Sequence, residues 1–247
     1  MDAGALGLAC AFFVVAALCA AVGQAGATGY LAVMGVAGFA PAAMKTTALA
    51  LKLAVACIGT MLFLREGRLT WHHVWPFAVL GFPFPMLGGA AQLPEGVFFP
   101  LVGLILIVSA VQLARSAWRP QLVREGPSRP PPFLAALLTG AVIGFVSGTT
   151  GTGGGVFLAP VILAMGWATA CETAATTAVC NLINSAATLL GACAVWDRIP
   201  VELPLWLAAV ALGGTLGAAI GSRYLPERWL RGILAVLLLF SGIKLMV

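Results

Sequence analysis

The stretch Gly144-Phe145-Val146-Ser147-Gly148-Thr149-Thr150-Gly151-Thr152-Gly153-Gly154-Gly155-Val156-Phe157-Leu158-Ala159-Pro160-Val161-Ile162-Leu163 decides how this sequence is read. It lies inside an uncharged run of 42 residues, Pro130 to Cys171, whereas a membrane helix needs only about 20. Glycine breaks the run in its middle. Backbone N–H groups freed by such a break find no partner in hydrocarbon, so they survive at depth only where protein buries them or a watery cavity wets them. The pattern reads as a long helix, a glycine turn, a half-helix from Val156 to Met165, and a connector. Two plain spans joined by an interfacial turn is the competing reading.

The rest of the chain fits this setting. Of 247 residues, 61% are hydrophobic and 9% charged, with a mean hydropathy of +1.05. Soluble domains carry about 25% charged residues, so a water-soluble globule, a disordered chain and a secreted disulfide scaffold are all excluded. The length has room for roughly seven to nine spans and leaves no soluble catalytic domain. A net charge of +5 reads as basic cytoplasmic loops rather than as a nucleic-acid surface. The apolar segment Ala3 to Val22 is preceded by Asp2, where a signal peptide wants positive charge, so it is read as part of the mature fold. The six cysteines, at 10, 19, 57, 171, 180 and 193, sit in apolar stretches without Cys-x-x-Cys spacing. They read as small residues at helix contacts.

The pattern around the glycines occurs twice. Gly23-x-x-Gly26-x-x-Gly29 corresponds to Gly148-x-x-Gly151-x-Gly153-Gly154-Gly155, Gly38-Phe39 to Gly166-Trp167, and Thr46-Thr47-Ala48 to Thr176-Thr177-Ala178. Leu93-Pro94-Glu95 answers to Leu225-Pro226-Glu227 and Ser109 to Ser241. The first glycine turn lies in a second uncharged run of 42 residues, between Asp2 and Lys45, with its half-helix over Tyr30 to Phe39. Residues 1–118 therefore read as a first transmembrane repeat, 119–132 as a basic, proline-rich cytoplasmic linker, and 133–247 as a second transmembrane repeat.

Arginine placement distinguishes inverted from parallel repeats. If each broken segment returns to its own side, nine loop arginines lie inside and Arg198 alone outside; if it crosses twice, seven lie inside and three outside. The positive-inside rule favours inversion. The expected fold is an all-α polytopic membrane protein of two inverted repeats, each with a glycine-broken helical hairpin plus three spanning helices.

A half-helix that begins within the bilayer points unpaired N–H groups and its positive dipole end at whatever lies before it. Two such ends, near Gly26 and Gly29 and near Gly151, Thr152, Gly153, Gly154 and Gly155, would make an anion site at the repeat interface. Thr149, Thr150 and Thr152 would add hydroxyl donors there, with Gln24 and Thr28 in the first copy. Close helix packing through small residues is the alternative role for the glycines. The turn is not a Walker loop, because no lysine follows it, and not a dinucleotide fingerprint, because no soluble strand–helix unit surrounds it.

Lys45 and Lys52 are seven apart, on one helix face and about 10 Å apart along the axis. Lys45 reads as an interfacial lysine that snorkels. Lys52, between Leu51 and Leu53, lies deeper, where a lysine costs roughly 3 kcal/mol unless it faces a polar partner; an anionic substrate is an economical one. Asn181 and Asn184, in the matching helix of the second half, suit either an oxyanion or helix–helix bonding. Glu172 reads as a helix cap or as a proton-coupling carboxylate. Adjacent His72 and His73 chelate poorly, aspartate occurs only at 2 and 197, and neither His-Glu-x-x-His nor Gly-x-Ser-x-Gly is present. No catalytic residue, metal site or cofactor is expected. The expected partners are a small anionic substrate and the lipid bilayer, not nucleic acid, and the sequence bears no mark of oligomeric state.

The run Gly-x-x-Gly-x-Gly-Gly-Gly followed by Val-Phe-Leu-Ala-Pro-Val-Ile-Leu, and then by the alanine- and threonine-rich segment Ala174 to Thr188, resembles the sulfite exporter TauE/SafE family of bacterial membrane permeases. The first repeat departs from that pattern: Gly26-Ala27-Thr28-Gly29-Tyr30 has fewer glycines, and Met34 stands where the second has Pro160. The resemblance implies a multi-pass protein of the bacterial inner membrane that transports sulfur-containing anions such as sulfite, sulfonates or thiosulfate. A channel, or a non-transporting scaffold or sensor subunit, is the alternative.

Overall fold

A computed structural model describes residues 3–21, 26–65, 71–118, 131–192, 200, 202–224 and 227–246. Among them all regular structure is α-helix: α1 (Ala3–Ala21), α2 (Ala27–Val36), α3 (Pro41–Arg65), α4 (Trp71–Leu80), α5 (Pro83–Ala90), α6 (Glu95–Trp118), α7 (Phe133–Thr150), α8 (Gly155–Met165), α9 (Ala170–Gly191), α10 (Leu203–Tyr224) and α11 (Glu227–Met246). Five of these, α1, α3, α6, α7 and α11, are long and apolar enough to cross a membrane. The linker residues 119–130, together with Gly23 and Gln24, lie outside the described residues, as do the side chains of His72 and His73.

Both glycine turns are followed by short helices. α2 has 10 residues and α8 has 11; at 1.5 Å per residue each is about 15 Å long, half of the roughly 30 Å hydrocarbon core. The second starts one residue before its sequence expectation. The first starts and ends three residues early, because Gly26, at φ 77°, turns the chain directly into α2 and Gly38, also at φ 77°, turns it out beyond the C-cap Ala37. The uncharged stretch from Val74 to Pro94 is divided between two helices, α4 and α5. Pro83, at the first position of α5, supplies no amide hydrogen to continue α4, and Gly81 permits the bend between them.

Helix contacts run between the halves of the chain. α1 packs along α10, α7 along α4 and α5, α6 along α11, and α3 crosses α9. Glycine makes several of these approaches possible. A Cβ on Gly213 or Gly217 would run into the backbone of Phe13 or Ala17, one on Gly148 into Pro85, and one on Gly191 into Met86. Dispersion at such close backbone contact, rather than hydrophobic burial, holds helices together where the surrounding lipid is equally apolar.

Two apolar cores result. The larger centres on Phe12, whose ring meets Trp206 at 5.4 Å and Tyr30 at 6.0 Å, both edge-on. The smaller gathers Val74, Phe77, Ile162, Trp167 and Val179. α9, which is not among the five apolar spans, buries Thr173, Thr176, Thr177, Asn181, Asn184, Ser185 and Thr188, and α3 buries Lys45, Thr46, Thr47, Lys52 and Thr60. Outward positions such as Leu134, Phe240 and Val236 are exposed, as lipid-facing positions should be. Polarity therefore lies at the centre, where α3 and α9 cross.

Candidate functional site

The turn between α7 and α8 lies along α3 from one lysine to the next. α7 ends at Thr150, and Gly151, at φ 75°, caps it by donating its N–H to the Ser147 carbonyl at 2.9 Å. A Cβ on Gly151 would come within 3.2 Å of the Lys45 Cα, and one on Gly153, at φ 72°, would overlap the Lys52 Nζ. Both left-handed backbone and lack of space restrict these positions to glycine. α8 then begins at Gly155 without a side-chain cap of its own.

Its cap comes from another helix. Gly155 donates its N–H to the Asn181 Oδ1 at 2.7 Å, and the same oxygen accepts from the Lys52 Nζ at 2.9 Å. Lys52 is 1% exposed. That bond to Asn181 is its one hydrogen bond among the described residues, although an ammonium has three donors. The positive end of the α8 dipole and the Lys52 charge converge on a single neutral oxygen. Asn184, three residues on, lies against Gly154 and Gly81 and helps to join α9 to the turn and to the α4–α5 bend.

The threonine hydroxyls are used locally. Thr149 and Thr150 donate to the Val146 carbonyl at 2.9 and 2.7 Å, and Thr150 and Thr152 share a hydrogen bond of 2.9 Å. They stiffen the end of α7; in this conformation their protons point at protein. In the first half, Gly29 packs on Val15 and Cys19, and Gly26 lies under the ring of Tyr30. α2 and α8 share no packed face among the described residues, so the two glycine turns are not brought together by direct helix contact. Gln24 lies outside the described residues.

Lys45 corrects a sequence expectation. It does not snorkel to an interface: it is 6% exposed, and its ammonium donates to the carbonyls of Gly88, Gly89 and Ala91 at 2.9, 3.0 and 3.0 Å. These are the orphan carbonyls at the C-terminal end of α5, where the helix dipole favours a cation. Lys244 does the same for α2, donating to the Val36 carbonyl at 2.8 Å. Glu172 takes its helix-cap reading. Its carboxylate accepts from the Thr169 N–H and hydroxyl, both at 2.9 Å, while its own N–H donates to the Thr169 Oγ1 at 3.4 Å, closing a capping box on α9.

A cavity of about 170 Å³ adjoins the turn, lined by Lys45, Thr149, Gln92, Glu95, Ala40 and Phe98 among others. It has room for a few water molecules or a small solute. It connects the α5–α6 corner to the face of α3 that carries Lys45, while Lys52 lies seven residues further along that helix.

Together these features define a class: a helical multi-pass membrane protein with a buried cation set at the N-terminus of a half-helix. The chain belongs to the sulfite exporter TauE/SafE family, whose sequence pattern matches residues 8–245. It is also similar to the probable membrane transporter protein y4hK of Sinorhizobium fredii (strain NBRC 101917 / NGR234), 61% identical over 246 residues and covering 100% of each chain. No solved structure matches it. The protein is a membrane transporter of this family.

Proposed function

We propose that this chain is a secondary transporter of a small sulfur-containing oxyanion, of the sulfite, sulfonate or thiosulfate class, and that it binds this anion at Lys52 and the N-terminus of α8. One observation carries the proposal: the buried Lys52 ammonium and the Gly155 N–H both donate to the Asn181 Oδ1. That oxygen stands where an anion's oxygen would stand. An oxyanion entering there receives charge-assisted bonds, roughly twice as strong as those to a neutral amide, and neutralises a lysine that no carboxylate pairs with among the described residues. Asn181 and Asn184 then hold the anion from the α9 side, and the turn from Gly151 to Gly155 supplies backbone N–H groups.

Residues 1–118 and 133–247 act as two inverted repeats around this site, in the bacterial inner membrane. Helix order supports the pairing, since long–short–long begins both halves: α1, α2, α3 and α7, α8, α9. Contacts exchange in the same sense, α1 with α10 and α7 with α4 and α5. Rocking of one half against the other would open the site to each side in turn. The sulfur preference rests on the family and on nothing in the geometry.

Proteoliposome uptake of radiolabelled sulfite, thiosulfate and taurine tests this reading. Saturable flux with trans-stimulation is expected. Flux that rises without saturation would assign the protein to channels instead. Stronger competition by phosphate or acetate than by any sulfur anion would remove the substrate class.

A further inference from the structure

Tyr30 is an orphan at the opposite half-helix. Its side chain is 0% exposed and its hydroxyl has no hydrogen-bond partner among the described residues. Buried phenols ordinarily find one. The ring leans back toward the start of its own helix, as helical side chains do, so that a Cβ on Gly26 would lie 2.8 Å from the hydroxyl oxygen. Gly26 is the N-cap of α2, in left-handed backbone, and contributes no side-chain cap. The hydroxyl therefore sits at a helix N-terminus that has no side-chain cap among the described residues, beside the buried Ala27 and Thr28.

α8 shows what such an end requires. There Asn181 reaches over from α9 to accept the first N–H. In the repeat alignment that pairs Thr46-Thr47 with Thr176-Thr177, the position on α3 equivalent to Asn181 is Leu51, which has no acceptor to offer. α2 thus has helical N–H groups of positive partial charge and a phenolic O–H at the same end. The N–H groups donate and the phenol, which can also accept, can donate beside them, and an oxyanion is a ligand chemistry that answers both.

We infer that the Tyr30 hydroxyl, with the N-terminus of α2, is a second oxyanion-binding position for the transported anion, the first-half counterpart of the position at Lys52. This deepens the transporter reading above and rests on it. The position is chemically softer than that at Lys52, because it offers hydrogen bonds and a helix dipole but no full charge. An anion held there is held reversibly, as passage through a transporter demands. The aromatic contact with Phe12 fixes the ring, so the donor is preorganised.

Tyr30→Phe removes one oxygen and leaves the packing intact. Calorimetric titration of the purified full-length protein with sulfite, with thiosulfate and with taurine, beside Lys52→Met, provides the test. Tyr30→Phe is expected to weaken the binding of whichever probe the unaltered protein takes by about ten-fold, the loss of one hydrogen bond to a charged group. Thermal stability should hold or rise, because an unsatisfied buried hydroxyl is gone. Unchanged affinity in Tyr30→Phe, with binding lost in Lys52→Met, would overturn this inference and leave the transporter reading standing. Absence of binding of all three probes by the unaltered protein would overturn both.

Discussion

Lys45 and Lys52 stand two helical turns apart on one face of α3, both buried, and they meet opposite ends of helices. Lys45 faces the C-terminus of α5 and gives its three N–H groups to three carbonyls. There the charge, the dipole and the donor count all agree. Lys52 faces the N-terminus of α8, where the dipole opposes it, and shares one neutral oxygen with a backbone N–H. One lysine completes a structure, and the other is the one that we propose meets an anion. Burial does not separate them; the polarity of the helix end that each one meets does.

The largest effect expected from breaking this comparison is at Lys52. Lys52→Met should weaken anion binding on the order of 100-fold, equivalent to about 2–3 kcal/mol, while the melting temperature holds or rises because an uncompensated buried charge is removed. Calorimetry and a thermal melt on the same preparation give both numbers, and a marked fall in melting temperature would make Lys52 a structural residue like Lys45. Lys45→Met should behave in the opposite way. It orphans carbonyls at the end of α5 and should cost about 1–3 kcal/mol of stability, read as a lower midpoint in thermal unfolding, with anion affinity nearly unchanged. A large loss of affinity in Lys45→Met would merge the two lysines into one site.

Gly153→Ala sharpens the geometry. The left-handed backbone costs an added Cβ about 1–2 kcal/mol, and that Cβ would press on the Lys52 Nζ, so affinity should fall together with stability. Retained affinity would mean that the turn moves away from Lys52 when the anion binds. The smallest effect is expected at Lys244, which caps α2 from an exposed position. Lys244→Ala should shift stability by only about 0.3–1 kcal/mol, and uptake rates should match those of the unaltered protein.

Much of this was legible in the residues. The two uncharged runs announce membrane helices, and glycines clustered at mid-run announce half-helices, because hydrocarbon admits broken backbone only under special cover. Lys52 was legible as the single lysine deep in an apolar helix, and Asn181 as a polar residue in the matching one. Lys45 was misread because its partners are backbone carbonyls, which leave no mark in a sequence. The break of α4 from α5 was missed, although Gly81 and Pro83 stood in view, because proline in membrane helices is often tolerated. Tyr30 was read only as the start of a half-helix; a hydroxyl without a partner shows only when its surroundings are known.

Composition and periodicity determined that this chain lives in a membrane, that it is helical, and that its two glycine turns begin short helices. These are one-dimensional properties, fixed by how much apolar length the chain offers and where its backbone must bend. Which helix end each lysine meets was decided only by the tertiary structure. Residues 45 and 88, or 52 and 181, are related by packing alone, and the sign of a helix end depends on direction in space. In this protein that sign separates a lysine that caps the C-terminus of a helix from one set at the N-terminus of another.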